Sequence, residues 1–247
     1  MNPKKHLKAL IGRMVPARWR NTVLDRCYAL HEEILFQAAR CRRQPFVFNG
    51  EAYRYFSHRF NHAFMNERTV EVPIACRLLS EFQGRRILEV GNVLRHYLDS
   101  AHLVVDKYER APGVLNIDIC DYEPAERFDL VVSLSTFEHI GFDEGRYAQA
   151  GPAAKVAASG ALAAMEKTRE LLAPGGVFLL TFPLGYNPGL DAEVAADSLG
   201  MKIFFLKRIS QSNHWQQVGF EEVRGIQYGK PFYPGANGLV IARYEKA

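Results

Sequence analysis

Cysteine is scarce, with four in 247 residues. Cys27, Cys41, Cys76 and Cys120 form no Cys-x-x-Cys pair, and no histidines stand at ligand spacing from them. A zinc module or a disulfide framework is disfavoured, and a reducing compartment is the simpler setting. Long apolar runs are also missing. No stretch approaches the roughly 20 residues that span a bilayer, and the first residues lack the apolar core of a secretory signal. The expectation is therefore a cytoplasmic protein, with no metal site. Repeats and low-complexity tracts are absent, which removes the solenoid class. Charge of one sign is lacking over most of the chain. Residues 1–45 hold ten Lys/Arg against three acids, a balance of +7, so the remainder carries −3 of the total +4. A near-neutral body disfavours an extended nucleic-acid groove.

What is present fits a globular protein. Apolar residues make up 48% and charged residues 23% of the chain, and about 250 residues are compatible with one domain. Lys4 to Val15 reads as a short basic amphipathic helix, with Leu7, Leu10, Ile11 and Met14 at helical spacing. Such a helix can lie on an anionic membrane face or a membrane-bound partner, or be a frayed terminus. Pro16 stops it, and a second helix is predicted from about Trp19 to Arg42. Phe56, Phe60 and Phe64 recur every fourth residue, the spacing of one buried helical face. The polar residues His58, Asn61, His62, Asn66 and Arg68 cluster just before the first main strand. The division predicted is a basic helical extension and lid over residues 1–68 and a main domain over 69–247.

The main domain shows one pattern five times. Arg86-Ile87-Leu88-Glu89-Val90-Gly91-Asn92 is an apolar run carrying an acid and ending at glycine. Val104-Val105-Asp106 follows seventeen positions after Glu89, then Val114 to Asp118, Phe128 to Ser133 and Gly176 to Thr181. Apolar runs alternating with helix-competent segments are the mark of a doubly wound parallel sheet. Ala153 to Leu172 is the clearest helix, ended by Pro174-Gly175-Gly176. Glu222 to Gln227 and Leu239 to Arg243 are predicted as closing strands.

In that order these segments resemble a class I S-adenosylmethionine-dependent methyltransferase over roughly residues 70–245. Asn66 to Pro73, Glu89 to Leu94, Val105 to Glu109 and Ser133 to Gly141 are closer still to bacterial methyltransferases of cell-surface polysaccharide biosynthesis. The resemblance implies a Rossmann-like, seven-stranded, mostly parallel α/β sheet with an N-terminal helical extension, and S-adenosyl-L-methionine as cofactor. It places Glu89 and Gly91 at the methionine and sulfonium side, Asp106 on the ribose hydroxyls, and Asp118 with Ile119 at the adenine. The alternatives are a helix N-cap for Asp106 and a turn-former for Asp118. Asn92 and Ser133 belong to the same cofactor set, and Arg68 suits the methionine carboxylate. His139 is the candidate base for an alcohol acceptor, with Glu138 orienting it or touching the cofactor; the alternative is that His139 only caps its turn. Tyr186 and Asn187 could hydrogen-bond a sugar acceptor, and His214 could shape that side.

One departure stands out. The family's Gly-x-Gly-x-Gly turn reads Gly91-Asn92-Val93-Leu94-Arg95, with two glycines missing. A dinucleotide dehydrogenase needs that turn for its pyrophosphate; a phosphate-free sulfonium nucleoside does not. Three functions remain in view: methyl transfer to a small-molecule or saccharide oxygen, a methyltransferase-like scaffold without catalysis, and RNA methylation through the basic N-terminus. The last is weakened because no Asn/Asp-Pro-Pro-Tyr motif follows the fourth strand.

Overall fold

The computed structural model describes residues 15–42, 44–143 and 159–247. The chain divides into two compact units, Met1–Arg43 and Gln44–Ala247. In the first, the described residues form helix α1, Arg20–Arg40, close to the span predicted. The basic helix expected over Lys4 to Val15 lies outside the described residues, apart from Val15 itself. Among the described residues no helix is long and apolar enough to cross a membrane.

The second unit is built on an eight-stranded sheet. Strands β1 (Phe46–Phe48) and β2 (Glu51–Tyr53) form a separate hairpin. The sheet contains β3 (Ile87–Val90), β4 (Leu103–Val105), β5 (Val114–Leu115), β6 (Phe128–Leu134), β7 (Leu172–Pro183), β8 (Lys202–Arg208), β9 (Trp215–Val218) and β10 (Gly238–Glu245). Its order is β5-β4-β3-β6-β7-β10-β8-β9. The first five in that order pair in parallel, and the last three are joined antiparallel. This is the Rossmann-like doubly wound class, one strand larger than predicted.

Alternation along the central strands explains why their runs are apolar throughout. In β6, Val131 faces one core, while Leu130, Val132 and Leu134 face the other. In β7, Phe178, Leu180 and Phe182 oppose Val177 and Leu179 in the same way. Both faces are covered, so both must be apolar. Helix α3 (Ser159–Glu170) buries Ala161, Ala164 and Met165 on the first face, where α4 (Pro188–Ala195) adds Leu190 and Val194. Helix α2 (Arg68–Glu81) buries Val70, Val72, Ala75 and Leu78 on the second, beside Phe46 and Phe48 of the hairpin.

Three expectations are corrected. Phe56, Phe60 and Phe64 share no helix: the segment is irregular, with a single 3-10 turn at Phe60–His62 and left-handed φ at Asn61 (49°) and His62 (48°). Phe56 is tied instead to the start of α2, its amide donating to Thr69 O at 2.9 Å while Thr69 Oγ1 donates to Phe56 O at 2.7 Å. Only Phe64 is fully buried; Phe60 stacks on His96 with ring centroids 4.4 Å apart. Glu222 to Gln227 is not a strand. Phe220–Val223 makes one helical turn (α5), capped where Glu222 accepts the Gly219 amide at 3.2 Å. The antiparallel edge comes from β8 and β9. The helix predicted from Ala153 is described only over Ser159–Glu170; residues 153–158 lie outside the described set, and Leu172 already belongs to β7.

Candidate functional site

The chain winds outward from β3 through β4 to β5, then returns to β6 on the other side of β3. Ligands of open α/β sheets bind at such a reversal, beyond the carboxyl ends of the strands. A cavity of about 470 Å³ opens there, a size suited to a nucleoside-like ligand. Its wall takes Val90 to Val93 from β3, Val105 to Glu109 from β4, Ile117 to Ile119 from β5, and Ser135, Thr136, His139 and Ile140 from beyond β6. Arg68, the first residue of α2, completes it.

The turn after β3 is closed from within. The Gly91 amide donates to Val105 O at 2.8 Å, and the Asn92 amide to Asp106 Oδ2 at 2.9 Å. The Val93 and Leu94 amides both donate to Glu89 Oε1, at 2.9 and 2.6 Å. Four consecutive N–H groups are thus committed to the protein, and none is left to cradle a phosphate. Gly91 has φ +85°, and a Cβ there would stand 2.2 Å from Thr136 Oγ1. Only glycine permits this close approach of β3 to the turn after β6. Asn92 Nδ2 donates to Glu109 Oε1 at 2.6 Å, whereas its buried Oδ1 has no partner.

Several predicted residues lie on the cavity wall: Arg68, Gly91, Asn92, Asp106, Asp118, Ile119 and His139. Asp106 accepts the Tyr108 and Glu109 amides through Oδ1, at 2.9 and 2.7 Å, besides that of Asn92, so its carboxylate also shapes the rim. Asp118 caps the turn to Cys120 at 2.9 Å and pairs with Lys107 at 2.9 Å. Others sit behind or away from the wall. Glu89 is fully buried, its second oxygen 2.7 Å from His102 Nε2. Ser133 Oγ donates to Val90 O at 2.7 Å and clamps β6 to β3. Asn187 caps α4, its Oδ1 accepting the Gly189 and Leu190 amides while Nδ2 donates to Glu138 O at 3.0 Å. His214 contacts Ser210 and Tyr55 and is not among the cavity residues.

Beneath the mouth lies a buried ionic cluster. Glu71 accepts from Ser135 Oγ at 2.6 Å and Thr181 Oγ1 at 2.5 Å, and pairs with Arg68. Burial works against the Arg68 cation, but Glu71 and Glu67 outweigh it and hold its pKa up. Glu138 is 2% exposed with Oε2 unpartnered, and desolvation raises its carboxyl well above the usual range.

His139 sits on a turn that runs from Thr136 to Asp143. The His139 amide donates to Thr136 O at 3.1 Å and the Asp143 amide to His139 O at 3.3 Å. That turn sets Asp143 Oδ1 2.7 Å from His139 Nδ1, while Glu138 Oε1 is 3.8 Å from Nε2. The Tyr186 hydroxyl donates to Asp143 Oδ2, and its ring meets the imidazole edge-on at 5.0 Å. The sequence reading missed Asp143, Thr136, Ser135 and Glu109. A histidine followed four residues later by an acid was the available signal for Asp143.

No family model and no curated protein matches this chain. Solved structures do. The N-methyltransferase NodS from Bradyrhizobium japonicum WM9, in complex with S-adenosyl-L-homocysteine, is 14% identical, covers 73% of this chain and 93% of its own, and gives a TM-score of 0.40. A SAM-dependent methyltransferase from Archaeoglobus fulgidus is 16% identical over 75% of this chain and 98% of its own, TM-score 0.44. The sugar N-methyltransferase KedS8 from Streptoalloteichus sp ATCC 53650 is 17% identical over 49% and 51%, TM-score 0.30. Likenesses this distant carry no assignment of ligand or acceptor.

Proposed function

We propose that the chain binds S-adenosyl-L-methionine in the switch-point cavity and transfers its methyl group to a hydroxyl of a small-molecule or saccharide acceptor. The observation that carries this reading is the inward-turned loop: the amides of residues 91–94 are all taken, so a nucleoside without phosphate is the ligand class that suits the crevice. The cavity residues fit that ligand. Gly91 lets the turn close against Thr136 at the cavity edge, and the orphaned Asn92 Oδ1 awaits a donor. When bound, the cofactor supplies an electrophilic methyl group on a sulfonium.

The remaining roles belong to the chain. Asp106 keeps acceptor capacity for a ribose diol beyond its three amide bonds, since a carboxylate offers about four lone-pair sites. Asp118 and Ile119 line the adenine side, and Arg68 offers guanidinium donors to a carboxylate. Positioning supplies most of the acceleration in such a transfer. His139 at the inner wall receives the proton of the acceptor hydroxyl. Peripheral contact with an anionic membrane or a membrane-bound glycosyltransferase is proposed from the +7 balance of residues 1–45 alone; flotation with anionic liposomes tests it.

Calorimetry of the full chain tests the central reading. S-adenosyl-L-homocysteine should bind and NADH should not. Asp106→Ala should weaken binding ten- to a hundredfold, from the loss of about 1.5–3 kcal/mol of charge-assisted hydrogen bonding in all. No heat with S-adenosyl-L-homocysteine at millimolar concentration overturns the reading and favours a scaffold.

A further inference from the structure

We infer that Asp143 and Tyr186 are positioning residues that fix the tautomer and basicity of His139, so that a Tyr–Asp–His relay, rather than Glu138, governs proton removal from the acceptor. This rests on the methyl-transfer reading above for its purpose, but not for its geometry. Asp143 Oδ1 lies 2.7 Å from His139 Nδ1. A carboxylate only accepts, so Nδ1 carries the hydrogen and Nε2 holds the lone pair of the neutral ring. The acceptor proton therefore arrives at Nε2, and the imidazolium that results is stabilised by Asp143 until the proton passes to water.

Tyr186 completes the relay from a different element. It follows β7, and its hydroxyl donates to the second oxygen of Asp143. Its ring is wedged between His139 (5.0 Å), Phe142 (6.0 Å) and Tyr228 (4.9 Å). Gly185 makes this possible: with φ +78°, its Cα faces Ile226 O so closely that a Cβ would come within 2.5 Å. Asn187, bonded to Glu138 O, closes the clasp between the two loops. Tyr186, expected from sequence to touch the acceptor, is thereby placed behind the base.

Glu138 is poorly suited to orient the ring. Its nearer oxygen is 3.8 Å from Nε2, beyond hydrogen-bond reach, and the peptide places it on the buried side of the turn. Among the described residues, the groups facing His139 include Asp143 and Glu138 from its own turn and Tyr186 from the loop after β7, with Arg68, Asp106 and Lys107 along the same cavity.

The test needs no acceptor. The full chain, labelled with 15N-histidine, is followed by two-bond proton–nitrogen correlation from pH 5 to 10, with His139→Gln identifying the signal. Wild type should show the Nδ1–H tautomer. Asp143→Asn should lose it and lower the titration midpoint of the ring by about one unit or more, because a carboxylate at contact distance favours the cation. Tyr186→Phe should keep the tautomer and raise the midpoint, since Asp143 then keeps more of its charge. An Nε2–H ring in wild type, or unchanged tautomer and midpoint in Asp143→Asn, overturns the relay. S-adenosyl-L-homocysteine calorimetry on the same samples judges the methyl-transfer reading separately: a wild type that shows the Nδ1–H ring but no binding sinks that reading and leaves the relay standing.

Discussion

Replacing Glu89 separates two roles for one carboxylate. Its Oε1 accepts the Val93 and Leu94 amides at 2.9 and 2.6 Å, and its Oε2 meets His102 Nε2 at 2.7 Å, with no part of the side chain exposed. Glu89→Ala removes three charge-assisted bonds and strands the Leu94 amide and a His102 ring nitrogen, while the Val93 amide keeps only Gly91 O at 3.0 Å. At about 1.5–3 kcal/mol per bond, the His102 pair being one of the three, the loss should reach at least about 4.5 kcal/mol. Domain stabilities are only about 5–15 kcal/mol, so this variant should stand near unfolding at 25 °C. Glu89→Gln keeps one acceptor oxygen for the two amides, and its amide nitrogen can donate to the other tautomer of His102. That milder change should cost about 1–3 kcal/mol. Urea unfolding at constant m-value measures both, and calorimetry with S-adenosyl-L-homocysteine measures the site. Affinity in the Gln variant should fall by less than about tenfold, or 1.4 kcal/mol. A Glu89→Ala protein that unfolds within about 1 kcal/mol of wild type would refute the brace. So would a Glu89→Gln protein of full stability whose binding collapses, for then the carboxylate touches ligand and not the turn.

Two further outcomes follow from the same geometry. Gly91→Ala should abolish S-adenosyl-L-homocysteine binding and destabilise by about 1–3 kcal/mol or more, because φ +85° and a Cβ 2.2 Å from Thr136 Oγ1 are both forbidden; adding Thr136→Ala should recover part of the stability, and a variant as stable as wild type would contradict the close approach. Glu138→Gln tests the buried acid by pH. The folded protein raises the Glu138 carboxyl above its ordinary 4.5 by desolvation, so the neutral form is favoured on folding and its contribution is full below 4.5, then lost as pH rises through the folded-state value. Thermal melts of the two proteins should coincide near pH 4 and diverge toward pH 9, with the Gln variant the more stable; parallel curves would show that Glu138 is not held neutral.

The parallel half of the sheet was legible because burial on both faces writes itself into local composition. Ile87 to Val90, Val104-Val105, Phe128 to Leu134 and Val177 to Phe182 are apolar at nearly every position. The acids and glycine that end these strands mark the same edge. Strand-end position, taken with the methyltransferase resemblance, points to Gly91, Asp106, Asp118 and His139 along that edge, and all four line one cavity. The antiparallel edge was not legible. Lys202–Arg208 and Trp215–Val218 are largely half-exposed, and their strand character comes from partners: Lys202–Arg208 pairs with Gly238–Glu245, distant in the chain, and Trp215–Val218 pairs in turn with Lys202–Arg208. Glu222 to Gln227 carries the same apolar spacing as a short strand, but the cap on Gly219 turns its start into a helical turn. The four-residue recurrence of Phe56, Phe60 and Phe64 is likewise real in the letters, yet bonds to Thr69 hold the chain out of a helix.

Sequence alone determined the doubly wound sheet, the crevice at its reversal and the carboxylates along the rim, because each depends on runs of adjacent residues. Tertiary structure decided what those side chains do. Glu89 and Ser133 turn inward to brace the loop and the strands. Asn187 caps a helix. Asp143, not the neighbouring Glu138, reaches the imidazole. Consecutive residues on a turn point in different directions, and which of them meets a partner is fixed by bonds from elements forty or more residues distant, such as the Tyr186 hydroxyl and the Thr136 wall against Gly91.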